Sequence, residues 1–146
     1  MVAEFKVNPR LTAKVAEIYN WLDSQIQKKP DLVQKCSACG KCCNFAKFDH
    51  HLLVTTPEMM YLTAKLGTQN IKPMTTTICP YNSNGKCAIY QHRFAGCRIF
   101  HCTANVDFQS KLSESALKKL KSICTKFKIP YRYTKLATAL NNFTSH

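Results

Sequence analysis

Nine cysteines stand in a chain of 146 residues, and eight of them fall between Cys36 and Cys102. The first block reads Cys36-x2-Cys39-x2-Cys42-Cys43, and the second is Cys79-Pro80, Cys87, Cys97 and Cys102. Two residues between cysteines let a tight turn aim both sulfurs at one ion. Gly40, with no Cβ, eases that turn after Cys39. Successive side chains point in different directions, so Cys42 and Cys43 cannot easily share one ion, and one of them is spare, bridging or assigned to a second site. Buried inert thiols explain any one of these residues but not the set. The expected chemistry is thiolate coordination of a metal by Cys36, Cys39, Cys42, Cys43, Cys79, Cys87, Cys97 and Cys102.

Two metal chemistries suit that set. An iron–sulfur cluster, expected as [4Fe-4S], takes three thiolates from a repeat of this spacing and a fourth from a distant cysteine followed by proline, here Cys79-Pro80. Zinc is the alternative, because Cys-x2-Cys-Gly resembles a zinc knuckle and eight thiolates divide into two closed four-cysteine sites. Ligand softness does not separate them. Lys35, Lys41, Lys86, Arg93 and Arg98 lie near the thiols in sequence and either offset thiolate charge or are ordinary surface bases. Cys124 shares an apolar stripe with Leu120 and Phe127 and is expected in the core. His101 can stand in for Cys102 as a ligand, whereas His50, His51 and His92 have no partner at ligand spacing.

The chain carries 21 basic and 8 acidic residues, a formal charge of +13. Metal binding lowers this to about +9 with two zinc sites or about +11 with one cluster. A basic surface favours an acidic partner, protein or nucleic acid. From Lys111 onward, Lys111, Lys118, Lys119, Lys121, Lys126, Lys128, Arg132 and Lys135 stand against Glu114, with Tyr131, Tyr133 and Phe143 among or after them. That pattern reads as a nucleic-acid interface or as a solvated helix face. Four scattered glycines make neither a Walker A loop nor a dinucleotide fingerprint. The N-terminus has no apolar signal region, and no apolar run approaches the roughly 18 residues of a membrane span. The expectation is a cytoplasmic protein without membrane insertion, whose reduced thiols serve metal or redox chemistry rather than disulfides.

These residues need elements to hold them. Leu11, Val15, Ile18, Leu22 and Ile26 predict an amphipathic helix over about 10–28, flanked by Tyr19 and Trp21 and ended by Pro30. His51 to Val54 reads as a strand, and Thr56-Pro57-Glu58 as a helix start whose glutamate complements the dipole. That helix runs to Lys65 or Leu66, with Gly67 as its stop. Residues 68–78 read as loop, Asn82-Ser83-Asn84-Gly85 as a turn, and Lys86 to Tyr90 as a short strand. Ala116, Leu117, Leu120, Ile123, Cys124 and Phe127 mark a late helix ended by Ile129-Pro130, and a shorter one covers about 133–142. The expected architecture is one domain over 1–146, mainly α with a small α+β variant possible. Irregular cysteine-rich loops, the metal-binding core at about 33–102, are held between amphipathic helices.

The two cysteine blocks, together with Ala88-Ile89-Tyr90, Arg93, Arg98-Ile99-Phe100 and the start at Thr56 and Glu58, resemble the CxxCxxCC family of YkgJ-type cysteine-cluster proteins, described as zinc- or iron-chelating. The resemblance covers about residues 33–102. It implies a thiolate site from Cys36, Cys39, Cys42, Cys43, Cys79, Cys87 and Cys97, and a more distant likeness to the cluster of flagellin lysine methylases. Arg93-Phe94 departs from the Arg-Pro usual in the family, and Cys102 and Cys124 fall outside its usual pattern. The implied role is a metal or iron–sulfur module for electron transfer, redox sensing or support of a partner. A methylase-like enzyme component is an alternative. The cysteine repeat is not the Cys-x3-Cys-x2-Cys of radical SAM enzymes and the chain is too short for their barrel, so catalysis by this chain alone is not expected.

Overall fold

A computed structural model describes residues 8–28, 53–75, 79–83, 86–99 and 106–144. Cys36, Cys39, Cys42, Cys43 and Cys102 lie outside the described residues, as do Pro30, Lys35, Lys41, His50, His51 and His101. Of the described residues 71% are helical, and the strands pair in two small two-stranded sheets. The mainly α expectation, with a minor β component, is met.

Helix α1 spans Pro9–Gln27. Asn8 caps it: its Oδ1 accepts the backbone N–H of Arg10 at 3.0 Å and of Leu11 at 3.2 Å. Pro9 occupies the first position, where no amide is needed. Leu11, Val15, Ile18, Tyr19 and Leu22 are buried, so Tyr19 belongs to the apolar face rather than flanking it.

Strand β1 (Leu53–Thr55) runs directly into α2 (Thr56–Leu66). The cap is Thr55, one residue earlier than the sequence suggests. Thr56 and Pro57 fill the first two helical positions, and the Glu58 side chain reaches back to Thr55 in a capping box. Gly67 ends α2 with φ 88°, a conformation that a Cβ would strain. A 3-10 turn over Thr68–Asn70 follows.

Strands β2 (Asn82–Ser83) and β3 (Lys86–Cys87) form an antiparallel hairpin, Asn82 opposite Cys87 and Ser83 opposite Lys86. Asn82 and Ser83 are therefore strand rather than turn. Pairing stops after Cys87, because the chain closes into a 3-10 turn over Tyr90–His92, with the His92 amide donating to Ile89 O at 2.8 Å. Helix α3 (Ala95–Ile99) carries Cys97.

Helix α4 (Val106–Phe127) begins well ahead of Ala116, its inner face extended by Gln109 and Leu112. It ends with Lys128 at φ 56° and the Ile129 amide bonded to Cys124 O at 3.0 Å. Strand β4 (Tyr133–Lys135) then pairs antiparallel with β1, and α5 covers Leu136–Thr144. The helix expected over 133–142 thus loses its first three residues to a strand. The physical reason is the β1 edge: it offers backbone partners to a β-prone Tyr-Thr pair. Thr56 N–H to Arg132 O (3.1 Å) and Arg132 N–H to Thr56 Oγ1 (3.0 Å) lengthen the pairing.

Two buried clusters result. One gathers Val54, Leu62, Phe94, Leu136 and Leu140, with Cys79, Tyr81 and Ile89. The other gathers Leu11, Val15, Leu22, Tyr61, Ile99 and Leu120. Helix α2 feeds both, Leu62 into the first and Tyr61 into the second. So does α3, whose Cys97 packs on the first cluster while Ile99 enters the second. At about 2–3 kcal/mol for each fully buried large aliphatic side chain, these two short helices are anchored from both sides.

Candidate metal centre

Local turns link the backbones of Cys79 and Cys87 in the second cysteine block. Asn82 N–H donates to Cys79 O at 3.0 Å, closing a tight turn with Pro80 at its second position. Asn82 then faces Cys87 across the hairpin, and Ala88 N–H donates to Tyr81 O at 2.7 Å. The backbones of Cys79 and Cys87 therefore meet through one turn and one strand pair. Cys79 is buried in the first cluster, and Cys97 packs against that cluster from α3. Tyr81 secures the turn: its hydroxyl donates to Asn70 O at 3.2 Å and accepts the Lys72 amide at 2.9 Å. Asn141 of α5 clamps the same loop, accepting the Met74 amide at 2.8 Å.

Among the described residues no three His, Cys, Asp or Glu side chains lie together as a metal-holding group. Cys124 is buried on α4, its Sγ 4.0 Å from Pro130 O, and burial pushes its thiol up. That matches its expected place in the core.

A carboxylate that sequence reading treated as a dipole complement is the polar centre of the fold. Glu58 is 1% exposed. Its Oε2 accepts the Ala95 amide at 2.6 Å and the Tyr19 hydroxyl at 3.1 Å. Its Oε1 accepts the Thr55 amide at 3.2 Å and the Thr55 hydroxyl at 3.0 Å. One side chain thus ties α1, β1 and the start of α3, the helix that carries Cys97. Burial raises the carboxyl above the usual range, against the pull of the bonds from Ala95, Thr55 and Tyr19. Burial, and then the neighbouring Glu58, hold the Tyr19 phenol well above its ordinary value.

Arg98, next to Cys97, is not a surface base. It is buried, with Nη1 2.8 Å from Asp23 Oδ2, Nε donating to Arg93 O at 2.9 Å and Nη2 to Gln91 O at 3.0 Å. Its guanidinium lies 4.3 Å from the Tyr19 ring centre. This pins the loop before α3 to α1 and lines an open polar cleft of about 300 Å³ with Tyr19, Asp23, Tyr61, Gln91 and Arg93. His92 sits beside it, Nδ1 3.4 Å from the Tyr61 hydroxyl. Burial, then Lys65 and Arg98, lower its pKa.

The match to known families now has a structural setting. The CxxCxxCC family, described as "Putative zinc- or iron-chelating domain", matches residues 35–125, more than half of the 146. The chain belongs to the CxxCxxCC family. The match runs past the expected limit at 102 and takes in nearly all of α4, so this helix is part of the family's unit. The CxxCxxCC assignment supports metal binding, of zinc or iron. The donor chemistry agrees with it, since both cysteine blocks lie inside the matched segment. No curated protein and no solved structure matches the chain. Among the described residues no helix is long and apolar enough to cross a membrane.

Proposed function

We propose that this chain is a single-domain cytoplasmic protein holding a thiolate-bound iron–sulfur cluster, with zinc as the alternative occupant. Its ligands would come from Cys36, Cys39, Cys42, Cys43, Cys79, Cys87, Cys97 and Cys102. What supports this is the CxxCxxCC match over residues 35–125, together with Cys79 in and Cys97 against one core cluster and the Cys87 backbone tied to the Cys79 turn through Asn82. Cys79 would be the long-range ligand that closes the set begun by Cys36, Cys39 and one of Cys42 and Cys43. A cluster supplies one-electron transfer at a potential tuned by burial and by hydrogen bonds to sulfur; zinc would supply folding energy alone. The role is electron transfer, redox sensing or support of a partner, rather than catalysis by this chain alone.

The test is anaerobic purification followed by absorption spectroscopy, acid-labile sulfide and metal analysis. Brown protein with iron and sulfide supports the cluster; colourless protein with stoichiometric zinc assigns the alternative. Cys79→Ala should empty the main site, because an incomplete four-thiolate set loses affinity and closure. Full occupancy in that variant would refute closure by Cys79.

A further inference from the structure

Helix α4 turns its apolar face inward and leaves cations outside. Leu112, Ala116, Leu120 and Ile123 are buried, whereas Lys111, Lys118, Lys121 and Lys126 are exposed. Lys128, Arg132 and Lys135, which follow the helix, are exposed as well. Lys121 Nζ lies 5.9 Å from the Tyr131 ring centre, which brings the start of the 131–135 segment to the end of α4. Within that segment Tyr133 is 40% exposed, the one exposed large hydrophobic side chain among the described residues. None of these seven cations forms an ion pair with a described carboxylate: the ion pairs are Lys14–Glu17 and Arg98–Asp23.

We propose that this face binds single-stranded nucleic acid, with the α4 lysines and Arg132 along the phosphates and Tyr133 stacked on a base. Charge alone would serve any polyanion, and the aromatic makes the choice. A base presents a π-face that Tyr133 can stack on, and stacking beside cations is how sequence-tolerant single-strand binding works. A lipid surface fits less well, since Ser115, Ser122 and Thr125 stand between the exposed lysines and no apolar row is available to insert. Helix α4, at 22 residues, is about 33 Å long and can track several consecutive phosphates. The proposal stands whichever metal the cysteines hold.

The full chain, as purified with its metal, is titrated against a fluorescein-labelled oligouridylate of about 20 nucleotides, read by anisotropy at several salt concentrations. Affinity should fall with salt at a log–log slope of about −3, the value for four to five neutralised phosphates. Lys118→Ala/Lys126→Ala should weaken binding about tenfold and flatten the slope by about 1.4. Tyr133→Ala should weaken it about tenfold with the slope unchanged. These side chains are exposed, so circular dichroism and metal content should match the parent protein. No binding at about 50 mM salt, or binding indifferent to salt, overturns the proposal. So does a neutral Tyr133→Ala combined with equally tight binding of polyglutamate, which would assign the face to an acidic protein. Equally tight binding of phosphatidylserine vesicles with a neutral Tyr133→Ala would assign it to a membrane.

Discussion

Glu58 Oε2 accepts the backbone N–H of Ala95 at 2.6 Å, so a carboxylate on α2 holds the first residue of the helix that carries Cys97. All four of its neighbours are donors in this geometry, which an ionised carboxylate satisfies and an amide does not. Glu58→Gln places an N–H2 group against at least one donor and should cost about 2 kcal/mol; Glu58→Ala should cost about 3 kcal/mol. Urea midpoints check this, and a change below about 0.5 kcal/mol would mean the buried bonds contribute no net stability.

The same variant tests the pH dependence. Burial raises the folded carboxyl of Glu58 above its value of 4.5 in an exposed chain, so the folded state holds its proton to higher pH than the unfolded state. Stability from this group is therefore fully present below the unfolded pKa and is lost as pH rises through the folded one. Glu58→Gln lacks that slope. The stability gap between parent and Glu58→Gln should narrow as pH rises, since other titrating groups cancel in the difference. A gap that widens with pH would show that the hydrogen bonds outweigh burial.

Arg98 and Asp23 form an unequal pair, their side chains 6% and 38% exposed. Removing the buried partner leaves the backbone carbonyls of Arg93 and Gln91 and the Tyr19 face without their cation. Arg98→Ala should cost about 3 kcal/mol, whereas Asp23→Asn should cost about 1 kcal/mol or less, because Asp23 is half in solvent. Thermal unfolding of both variants checks the ranking. Equal losses would place the stabilisation in the ion pair rather than in the carbonyl contacts.

Cys124 should be separable from the metal site. Burial raises its thiol and slows reaction with thiol reagents. Cys124→Ala is expected to cost on the order of 1 kcal/mol and leave metal content unchanged. Loss of metal from a folded variant would make Cys124 a ligand.

Metal removal should loosen the chain unevenly. The sequence, with few long apolar stripes between Cys36 and Cys102, suggests that all of this span depends on metal for its order. The structure exempts α2: Leu62 and Glu58 are fully buried and the helix packs into both core clusters. Chelation is therefore expected to speed amide exchange in residues 79–83 and 86–94, while α1, α2 and α4, and α3, which is anchored in both clusters as well, keep their protection. Identical exchange in the two cysteine segments with and without metal would remove the linkage.

The sequence by itself determined what is local or set by residue type. The cysteine spacing identified the family, the stripes from Leu11 to Leu22 and from Ala116 to Ile123 identified the long helices, and Gly67 their neighbour's stop. Each of these signals is complete within a few residues, because helix periodicity, capping and turn preference are short-range. Tertiary structure decided what depends on partners far along the chain. Glu58 reads only as a helix-start carboxylate that complements the dipole until Tyr19 and Ala95 arrive from 39 and 37 residues away. Tyr133 to Lys135 looks helical until β1 offers its edge. Arg98 reads as a counter-charge for thiolates or a surface base until the fold buries it against Asp23, 75 residues earlier. A buried charge or a strand edge is stable only where its partners converge, and that convergence is a property of the packed chain rather than of any segment within it.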